Sequence, residues 1–290
     1  MLRIKVPATS ANLCVGFDVL GLALSLFNEF TFEKSDEFSF YGFEDEFLTI
    51  DNNLVYDSYK YTFEKLGMKL VPVRIGFKGE IPVSRGLGSS SSLIVAGVFA
   101  ANYFMGKPLT KNQLFDITVE LEGHPDNVAP AIYGSLVASY KYEDNYYPNI
   151  YKVSKDLDFI TVTPPFHLST HEARKVLPES LSYKEIVNNT SRIVNIPRAF
   201  ELGDVNMIRR LFIDSMHEPY RSKLIPTYNE IKEICDKAKV AFAISGSGST
   251  MLIILKKDQK KATLIKNKLK KFNYDVKLLK VSSGVKLEEI

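Results

Sequence analysis

The sequence has 290 residues, of which 45% are hydrophobic and 24% are charged, and its formal net charge is only +3. These values are typical of a globular protein long enough to fold as two lobes, and they argue against a strongly basic nucleic-acid-binding chain. The two cysteines, Cys14 and Cys235, form no Cys-x-x-Cys pair, so we expect neither a metal knuckle nor a disulfide framework. Because a signal-peptide core and an apolar stretch of about 20 residues are both lacking, we expect a cytoplasmic protein outside the membrane.

Hydrophobic spacing in the first half of the chain predicts four strands and three helices. Thr110 and Gln113 are spaced as a capping box, which predicts a helix start at that point. Residues 140–151 are polar and rich in tyrosine, and we expect a turn there that also marks the lobe boundary. The predicted strands are 2–6, 23–32, 71–77 and 134–139, and the predicted helices are 52–66, 90–104 and 110–121.

The second half of the chain is predicted to contain a Gly/Ser turn at 245–249 between two apolar strands. The lysines between 256 and 271 lie on a basic helix that either binds nucleic acid or is solvated, and the low net charge favours solvation. Because strands and helices do not alternate regularly, we predict an α+β fold with lobes 1–150 and 151–290. The remaining predicted strands are 159–163, 240–244, 251–255 and 276–281, and the remaining helices are 182–200, 203–216 and 226–238.

Residues 85–92 have the composition of a phosphate-binding loop. Gly86 and Gly88 flank one leucine, four serines follow, and an apolar run begins at Leu93. Glycine lets the backbone approach a ligand, and the free N–H groups at a helix N-terminus bind anions. A solvated linker is disfavoured because the apolar run belongs inside a fold. The loop lacks the Lys-Ser or Lys-Thr of a Walker loop and the third glycine of a dinucleotide fingerprint, so it is a phosphate site of another kind.

Two further segments are polar where a core should be apolar. Asn12 and Asp18 lie in the first, at 7–18, and either grip a hydroxyl or ammonium group or close local turns. Glu120 and Glu122 end a predicted helix, where carboxylates oppose the helix dipole. They either recruit a cation, for which Mg²⁺ beside nucleotide phosphates is the natural choice, or form a solvated helix end.

Two arginines, Arg174 and Arg221, each follow a His-Glu pair within a few residues. Arginine binds carboxylates and phosphates with two parallel hydrogen bonds. A single arginine is more often a surface residue, but two in similar contexts suggest an anion-binding pocket. No Ser/His/Asp triad with a nucleophile elbow accompanies them.

Taken in order, these segments resemble the motifs of the GHMP kinase superfamily and, within it, of the homoserine kinases. Residues 86–91 are similar to the second superfamily motif, and residues 245–248 are similar to the third. Residues 7–21 resemble the opening segment of the homoserine kinases, and 122–130, 169–174 and 218–226 resemble three later segments. Cys14 and Val15 depart from that pattern, which has Gly-Pro at these positions.

The resemblance implies a lobe like domain 2 of ribosomal protein S5, a C-terminal ferredoxin-like lobe, and ATP between them. It implies that Asp18 takes a substrate ammonium group and that the two arginines take a carboxylate. It also implies that Glu122 is linked to Mg²⁺, and Glu120 is the alternative residue for this role. The implied ATP-binding residues are Pro82, Val83, Ser84, Arg85, Gly86, Leu87, Gly88, Ser89, Ser90, Ser91, Ser92 and Asn53. The implied substrate-binding residues are Asn12, Asp18, His124, Arg174 and Arg221; Glu122 and Asn127 are the catalytic candidates, and Glu122 and Ser90 the metal ligands.

The resemblance therefore implies an enzyme that uses ATP and Mg²⁺ to phosphorylate the side-chain hydroxyl of L-homoserine. Another GHMP kinase, acting on a mevalonate-like acid or a sugar, is the alternative, and it would not need an ammonium ligand. An RNA-binding module is an alternative of another class, but it does not account for the amino-acid pocket. We expect no nucleic-acid or membrane partner, and family habit suggests a homodimer.

Overall fold

The computed structural model describes residues 1–290 and contains two separate β-sheets. In chain order the strands are β1 (Leu2–Ala11), β2 (Leu20–Lys34), β3 (Ser39–Tyr41), β4 (Val73–Gly79), β5 (Leu136–Tyr142), β6 (Asn145–Tyr151), β7 (Leu157–Thr163), β8 (Ala241–Ile244), β9 (Met251–Lys256), β10 (Asp275–Leu279) and β11 (Lys286–Glu289).

The helices pack against the two sheets, and several of the helices are short. They are α1 (Leu54–Lys65), α2 (Ser89–Phe104), α3 (Lys111–Glu122), α4 (Pro125–Tyr133), α5 (Thr170–Lys175), α6 (Tyr183–Ile193), α7 (Ile196–Leu202), α8 (Val205–Leu211), α9 (Glu218–Arg221), α10 (Tyr228–Ala238) and α11 (Gln259–Leu269). No helix combines the length and the apolar character needed to cross a bilayer.

The first sheet has seven strands in the order β11-β1-β2-β4-β3, and β5 joins it by pairing with β2 and β6. All neighbours are antiparallel except β3 and β4. The pairing of β1 with β2 shifts register between Pro7 and Ala8, because proline cannot donate to the ladder. The shift lies at the start of the polar segment that sequence analysis singled out.

Helix α2 lies in the core of the first lobe. Its apolar run is buried from Ile94 to Ala101, as expected from its lack of a polar face. The Thr110–Gln113 capping box is present at the start of α3 and is therefore confirmed. A rigid core around α2 fixes the position of its N-terminus.

The second sheet has four antiparallel strands in the order β10-β7-β9-β8. Helices α10 and α11 pack on one face through residues such as Ile231 and Ile265. On the other face, an apolar cluster combines Leu252 of β9 with Phe200 of α7 and with Leu22 of the first sheet. The two lobes therefore share part of their core, and antiparallel sheets with segregated helices confirm the α+β prediction.

Three of the predicted elements differ from what the structure shows. Residues 140–151 were expected to form a turn, but β5 and β6 form a hairpin with the turn confined to 143–144. The predicted helix 182–200 is two helices, because Pro197 lies in the first turn of α7 and cannot continue α6. Residues 203–216 are helical only over α8, and Asp214 lies beyond it.

The last strand was not predicted, because its residues are mostly charged and show no apolar alternation. It pairs with β1, so Lys286 and its neighbours lie on the sheet of the first lobe. The division into lobes 1–150 and 151–290 stays a prediction. The pairing of β11 with β1 shows that the C-terminal end of the chain returns to the sheet of the first lobe.

Candidate active site

A cavity of about 520 Å³ lies between the lobes and is lined by residues from both of them. The first lobe contributes the segment after β1, the loop before α2 and the junction between α3 and α4. The second lobe contributes α5, Arg221 at the end of α9, and Gly246 and Ser247 of the turn after β8. This volume is within the usual range of small-molecule sites.

The N-terminus of α2 opens into this cavity. Its N-cap residue is Gly88, and no side chain caps the helix. Ser89 and Ser90 in the first turn line the cavity. The first N–H groups of a helix have no intrahelical acceptor, so this end offers uncompensated donors and a positive dipole to an anion.

Glycine is required at two positions of the loop before α2. Gly86 and Gly88 have φ angles of +74° and +70°. A Cβ atom at Gly88 would lie 2.0 Å from Thr9 Oγ1, and a Cβ atom at Gly86 would lie 2.1 Å from the carbonyl oxygen of Ser245. The loop is therefore wedged between β1 and the turn after β8, so both lobes fix the helix terminus.

The residues for which ATP contacts were implied divide into two groups. Val83, Ser84, Arg85, Gly86, Gly88, Ser89, Ser90 and Asn53 line the cavity, whereas Pro82, Leu87, Ser91 and Ser92 do not. Leu87 belongs to the apolar core between the lobes. The side chain of Asn53 accepts hydrogen bonds from the first turn of α1, and the Arg85 guanidinium donates to carbonyl groups of both lobes. Both side chains therefore have local structural roles at the cavity wall.

Glu122 and Glu120 end α3 but point to different surroundings. Glu122 lines the cavity, and its two carboxylate oxygens accept hydrogen bonds from Ser91 Oγ at 2.6 Å and Ser90 Oγ at 3.3 Å. Burial raises the pKa of Glu122. Glu120 instead pairs with Lys65 at 2.6 Å and accepts a hydrogen bond from Tyr61 on the outer face. Only Glu122 is placed to face a ligand at the helix N-terminus.

The start of α4 brings His124, Asp126 and Asn127 to the same wall. His124 Nδ1 lies 3.3 Å from Asp126 Oδ1, and this carboxylate raises the pKa of the imidazole. Asn127 Oδ1 accepts a hydrogen bond of 2.8 Å from Thr9 Oγ1, which orients the amide. Thr9 was not singled out by its sequence pattern, because nothing in an alternating strand marks one threonine as the hydrogen-bond partner of a cavity side chain.

Asp18 and Arg174 form a bidentate ion pair across the lobes, with contacts of 2.8 and 3.1 Å. Asn12 supports this arrangement through two hydrogen bonds. Its Oδ1 accepts a hydrogen bond from the backbone N–H of Asp18, and its Nδ2 donates one to the carbonyl of Gly246. Asp18 and Arg174 thus lie side by side. A small ligand that carries both charges could replace this pair, with its cation on Asp18 and its anion on Arg174.

Arg221 is almost fully buried, with 1% of its surface exposed, yet it lines the cavity. Its Nε donates to the carbonyl of Ala173 and its Nη1 to the carbonyl of Gly246, both at 3.1 Å. Burial, and then the nearby Arg174, lower the pKa of Arg221 to about 10. A buried guanidinium with no carboxylate partner is costly, so an incoming anion would stabilise it.

Part of the cavity wall consists of aromatic side chains that the sequence did not reveal. Phe43, Phe47 and Phe77 contribute there, and Phe43 stacks on Phe77 with ring centroids 4.8 Å apart. Phe43 lies in a bend and Phe47 in a short 3-10 helix before α1, and no periodic pattern covers them. Aromatic rings in the same cavity as the α2 N-terminus suit a planar base.

Comparison with known proteins agrees with this architecture. The family model of the GHMP kinases N terminal domain matches residues 53–135, and the family model of the GHMP kinases C terminal domain matches residues 198–275. A homoserine kinase of Clostridium beijerinckii is 42% identical over 276 residues, covering 94% of this chain and 91% of the relative. A homoserine kinase of Clostridium botulinum is 40% identical over 262 residues, covering 90% of this chain and 88% of the relative.

Solved structures give the same result. The crystal structure of a homoserine kinase from Cytophaga hutchinsonii superposes with a TM-score of 0.88 at 27% identity, covering 99% of this chain and 97% of that one. A mevalonate kinase structure superposes with a TM-score of 0.72 at 16% identity, over 97% and 99% of the two chains, a likeness that shows the fold alone.

The two-lobed fold and the inter-lobe cavity define a GHMP kinase, a phosphotransferase that uses ATP. Within that class, the chain belongs to the homoserine kinases. The expected family and the expected two-lobed GHMP kinase fold are therefore confirmed.

Proposed function

We propose that the chain transfers the γ-phosphoryl group of ATP to the side-chain hydroxyl of L-homoserine and forms O-phospho-L-homoserine, a step of threonine biosynthesis. One observation carries the proposal. The same cavity contains an uncapped helix N-terminus and, in Asp18, Arg174 and Arg221, charges of both signs. A nucleotide phosphate needs the first feature, and the ammonium and carboxylate groups of an amino acid need the second.

The charge arrangement favours an amino acid over the other substrates of this superfamily. A mevalonate-like acid would compete with Asp18 for Arg174 and offer Asp18 no cation in return. A sugar would leave Asp18 paired with Arg174 and the Arg221 charge unmatched. Unpaired charges in a partly buried site cost free energy. L-homoserine matches Asp18 with its ammonium group and the two arginines with its carboxylate.

Glu122 and Ser90 are the residues that would hold Mg²⁺. The ion takes oxygen ligands and often binds through one or two carboxylates together with phosphate oxygens and water. Ser90 Oγ and Glu122 Oε2 are 3.3 Å apart at the N-terminus of α2, so both face the proposed phosphate position. No group of three His, Cys, Asp or Glu side chains is arranged to hold a metal ion by itself, and a site completed by ATP does not require one. The bound ion would neutralise phosphate charge during transfer.

We assign no general base to the reaction. Phosphoryl transfer depends mainly on positioning and charge neutralisation. The α2 N-terminus would position the phosphates, and Asn127, oriented by Thr9, would lie beside the transferring group. Asp126 instead faces His124. A bell-shaped pH profile that the Asp126→Asn variant abolishes would contradict this assignment.

A coupled ADP-release assay with Mg-ATP tests the proposed function. L-homoserine is compared with D-homoserine, L-serine, mevalonate and galactose at equal concentrations. Turnover on L-homoserine well above that on the others is expected. Turnover on mevalonate or galactose alone would keep the kinase fold and overturn the roles proposed for Asp18 and the two arginines.

Cytoplasmic localisation and a homodimer without nucleic acid are part of the same proposal. Both cysteines are free and buried, in keeping with a reducing compartment. Sedimentation equilibrium should give twice the chain mass, and a monomer at all concentrations would contradict the dimer.

A further inference from the structure

The turn between β1 and β2 has unusual backbone geometry. Asn12, Leu13 and Cys14 have consecutive φ angles of +67°, +40° and +64°, and Asp18 follows with +56°. Residues with a Cβ atom rarely adopt this left-handed conformation. Such a run persists only where surrounding contacts determine it, so the groups that hold this turn also determine where Asp18 points.

The side chain of His217 makes one of these contacts. It is fully buried, and its Nε2 lies 2.6 Å from the carbonyl oxygen of Cys14. A carbonyl oxygen only accepts, so Nε2 carries the proton and donates it. Burial lowers the pKa of His217 to about 4, which leaves the ring neutral at physiological pH with Nδ1 unprotonated.

The backbone of His217 is held independently. The carboxylate of Asp214 accepts hydrogen bonds from the N–H groups of Met216, His217 and Glu218 at 2.6–3.0 Å. These bonds fix the start of α9, which ends with Arg221. The imidazole and the Arg221 guanidinium therefore project from one rigid turn of chain.

A third contact connects His217 with both arginines. The Phe17 ring lies 5.4 Å from the imidazole, and the guanidinium groups of Arg221 and Arg174 lie 5.1 and 5.4 Å from the same ring. Phe17 immediately precedes Asp18. A movement of the turn would therefore displace the ammonium ligand and one wall of the carboxylate site together.

We infer that His217 is a positioning residue for the amino-acid substrate, because its Nε2–H bond to Cys14 and its contact with Phe17 set the orientation of Asp18 toward the two arginines. The inference rests on the proposed function and adds a residue that does not itself line the cavity. Cys14 keeps a second anchor, since its Sγ donates to Glu218 at 3.6 Å. Loss of the His217 bond should therefore reorient the turn and leave the lobe folded.

Two matched variants test this role. Glutamine places its amide Nε2 where the imidazole Nε2 lies, whereas the shorter asparagine cannot reach the Cys14 carbonyl, and both remove the ring. His217→Asn should raise the KM for L-homoserine about tenfold, with the KM for ATP unchanged, and His217→Gln should recover most of that loss. Equal homoserine KM values for the two variants, or parallel rises in both KM values, would overturn the inference.

A measurement on the unmodified protein covers the case in which the variants fail to fold. The chain has four histidines, and ¹⁵N-labelled histidine distinguishes their tautomers by NMR. One ring should stay neutral from pH 8 to pH 5 with its proton on Nε2. A proton on Nδ1 of that ring, or titration of all four rings above pH 5, would overturn the inference. Absence of L-homoserine turnover by the wild type would refute the proposed function instead.

Discussion

The two arginines of the cavity should contribute very unequally to L-homoserine binding. Arg221 is 1% exposed and has no carboxylate partner of its own. Truncating one partner of a buried charge pair costs roughly 2–5 kcal/mol, which corresponds to a rise of about 30- to 5,000-fold in the homoserine KM. Arg221→Ala should leave the KM for ATP nearly unchanged, because the guanidinium contacts Ala173, Gly246 and the Phe17 ring, none of which is a residue with an implied ATP contact.

Arg174 should contribute less. Its side chain is 38% exposed, and it already pairs with Asp18. Substrate binding would exchange one carboxylate partner for another, and solvent-exposed pairs contribute roughly 0.2–1 kcal/mol. Arg174→Ala should therefore raise the homoserine KM by no more than about fivefold.

Steady-state kinetics with each substrate varied in turn measures both effects. Arg198→Ala is the matched control, because Arg198 is an exposed arginine of α7 that pairs only with Glu201. Arg221→Lys keeps the charge and tests the need for the planar group. A larger effect of Arg174→Ala than of Arg221→Ala would refute the reasoning from burial. So would an equal rise in the KM values for ATP and homoserine in a folded Arg221 variant.

Three further outcomes follow from the site and its surroundings. Glu122→Gln should lower kcat by about 100-fold and raise the Mg²⁺ concentration needed for half-maximal rate, whereas Glu120→Gln should do neither. Gly88→Ala should raise the KM for ATP because its Cβ would contact Thr9; Gly106→Ala, at a φ of +84° with open space around it, should lower only the melting temperature. Burial raises the pKa of Glu218 from 4.5 to about 7. The protonated carboxyl therefore stabilises the fold fully below about pH 4.5, and roughly 3 kcal/mol of this stabilisation should be lost as the pH rises from about 4.5 to about 7.

Each of these outcomes has a clear contrary result. Equal Mg²⁺ titration curves for the two glutamate variants would remove Glu122 from the metal site. Equal ATP KM values for the two glycine variants would show that the approach of the loop to β1 does not position the phosphates. For Glu218, urea denaturation at pH 5 and pH 8 is compared between the wild type and Glu218→Gln. An identical change in unfolding free energy with pH in both proteins would contradict the raised pKa.

Local signals in the sequence predicted the elements whose cause is local. The capping box at Thr110 and the apolar run of α2 each depend on residues within a few positions of one another, and both are confirmed. The prediction of a turn at 140–151 was wrong because the structure there depends on residues of a facing strand. The tyrosines of this segment are stabilised by partners on the facing strand, as in the stacking of Tyr140 on Tyr147 at 5.4 Å, and such pairing is invisible in a one-dimensional pattern.

Residue types and their spacing were enough to predict the kind of chemistry, from a glycine-serine loop that enters a buried helix, a carboxylate at the end of α3 and two arginines in a recurring context. Which of these groups meet depends on the tertiary structure. Asp18 and Arg174 are 156 positions apart in the chain and still form a bidentate pair, and His217 reaches a carbonyl group 203 positions away. Composition and spacing fix local conformation because its hydrogen bonds close within a few residues, whereas burial, pairing and pKa values depend on neighbours that only the folded chain supplies.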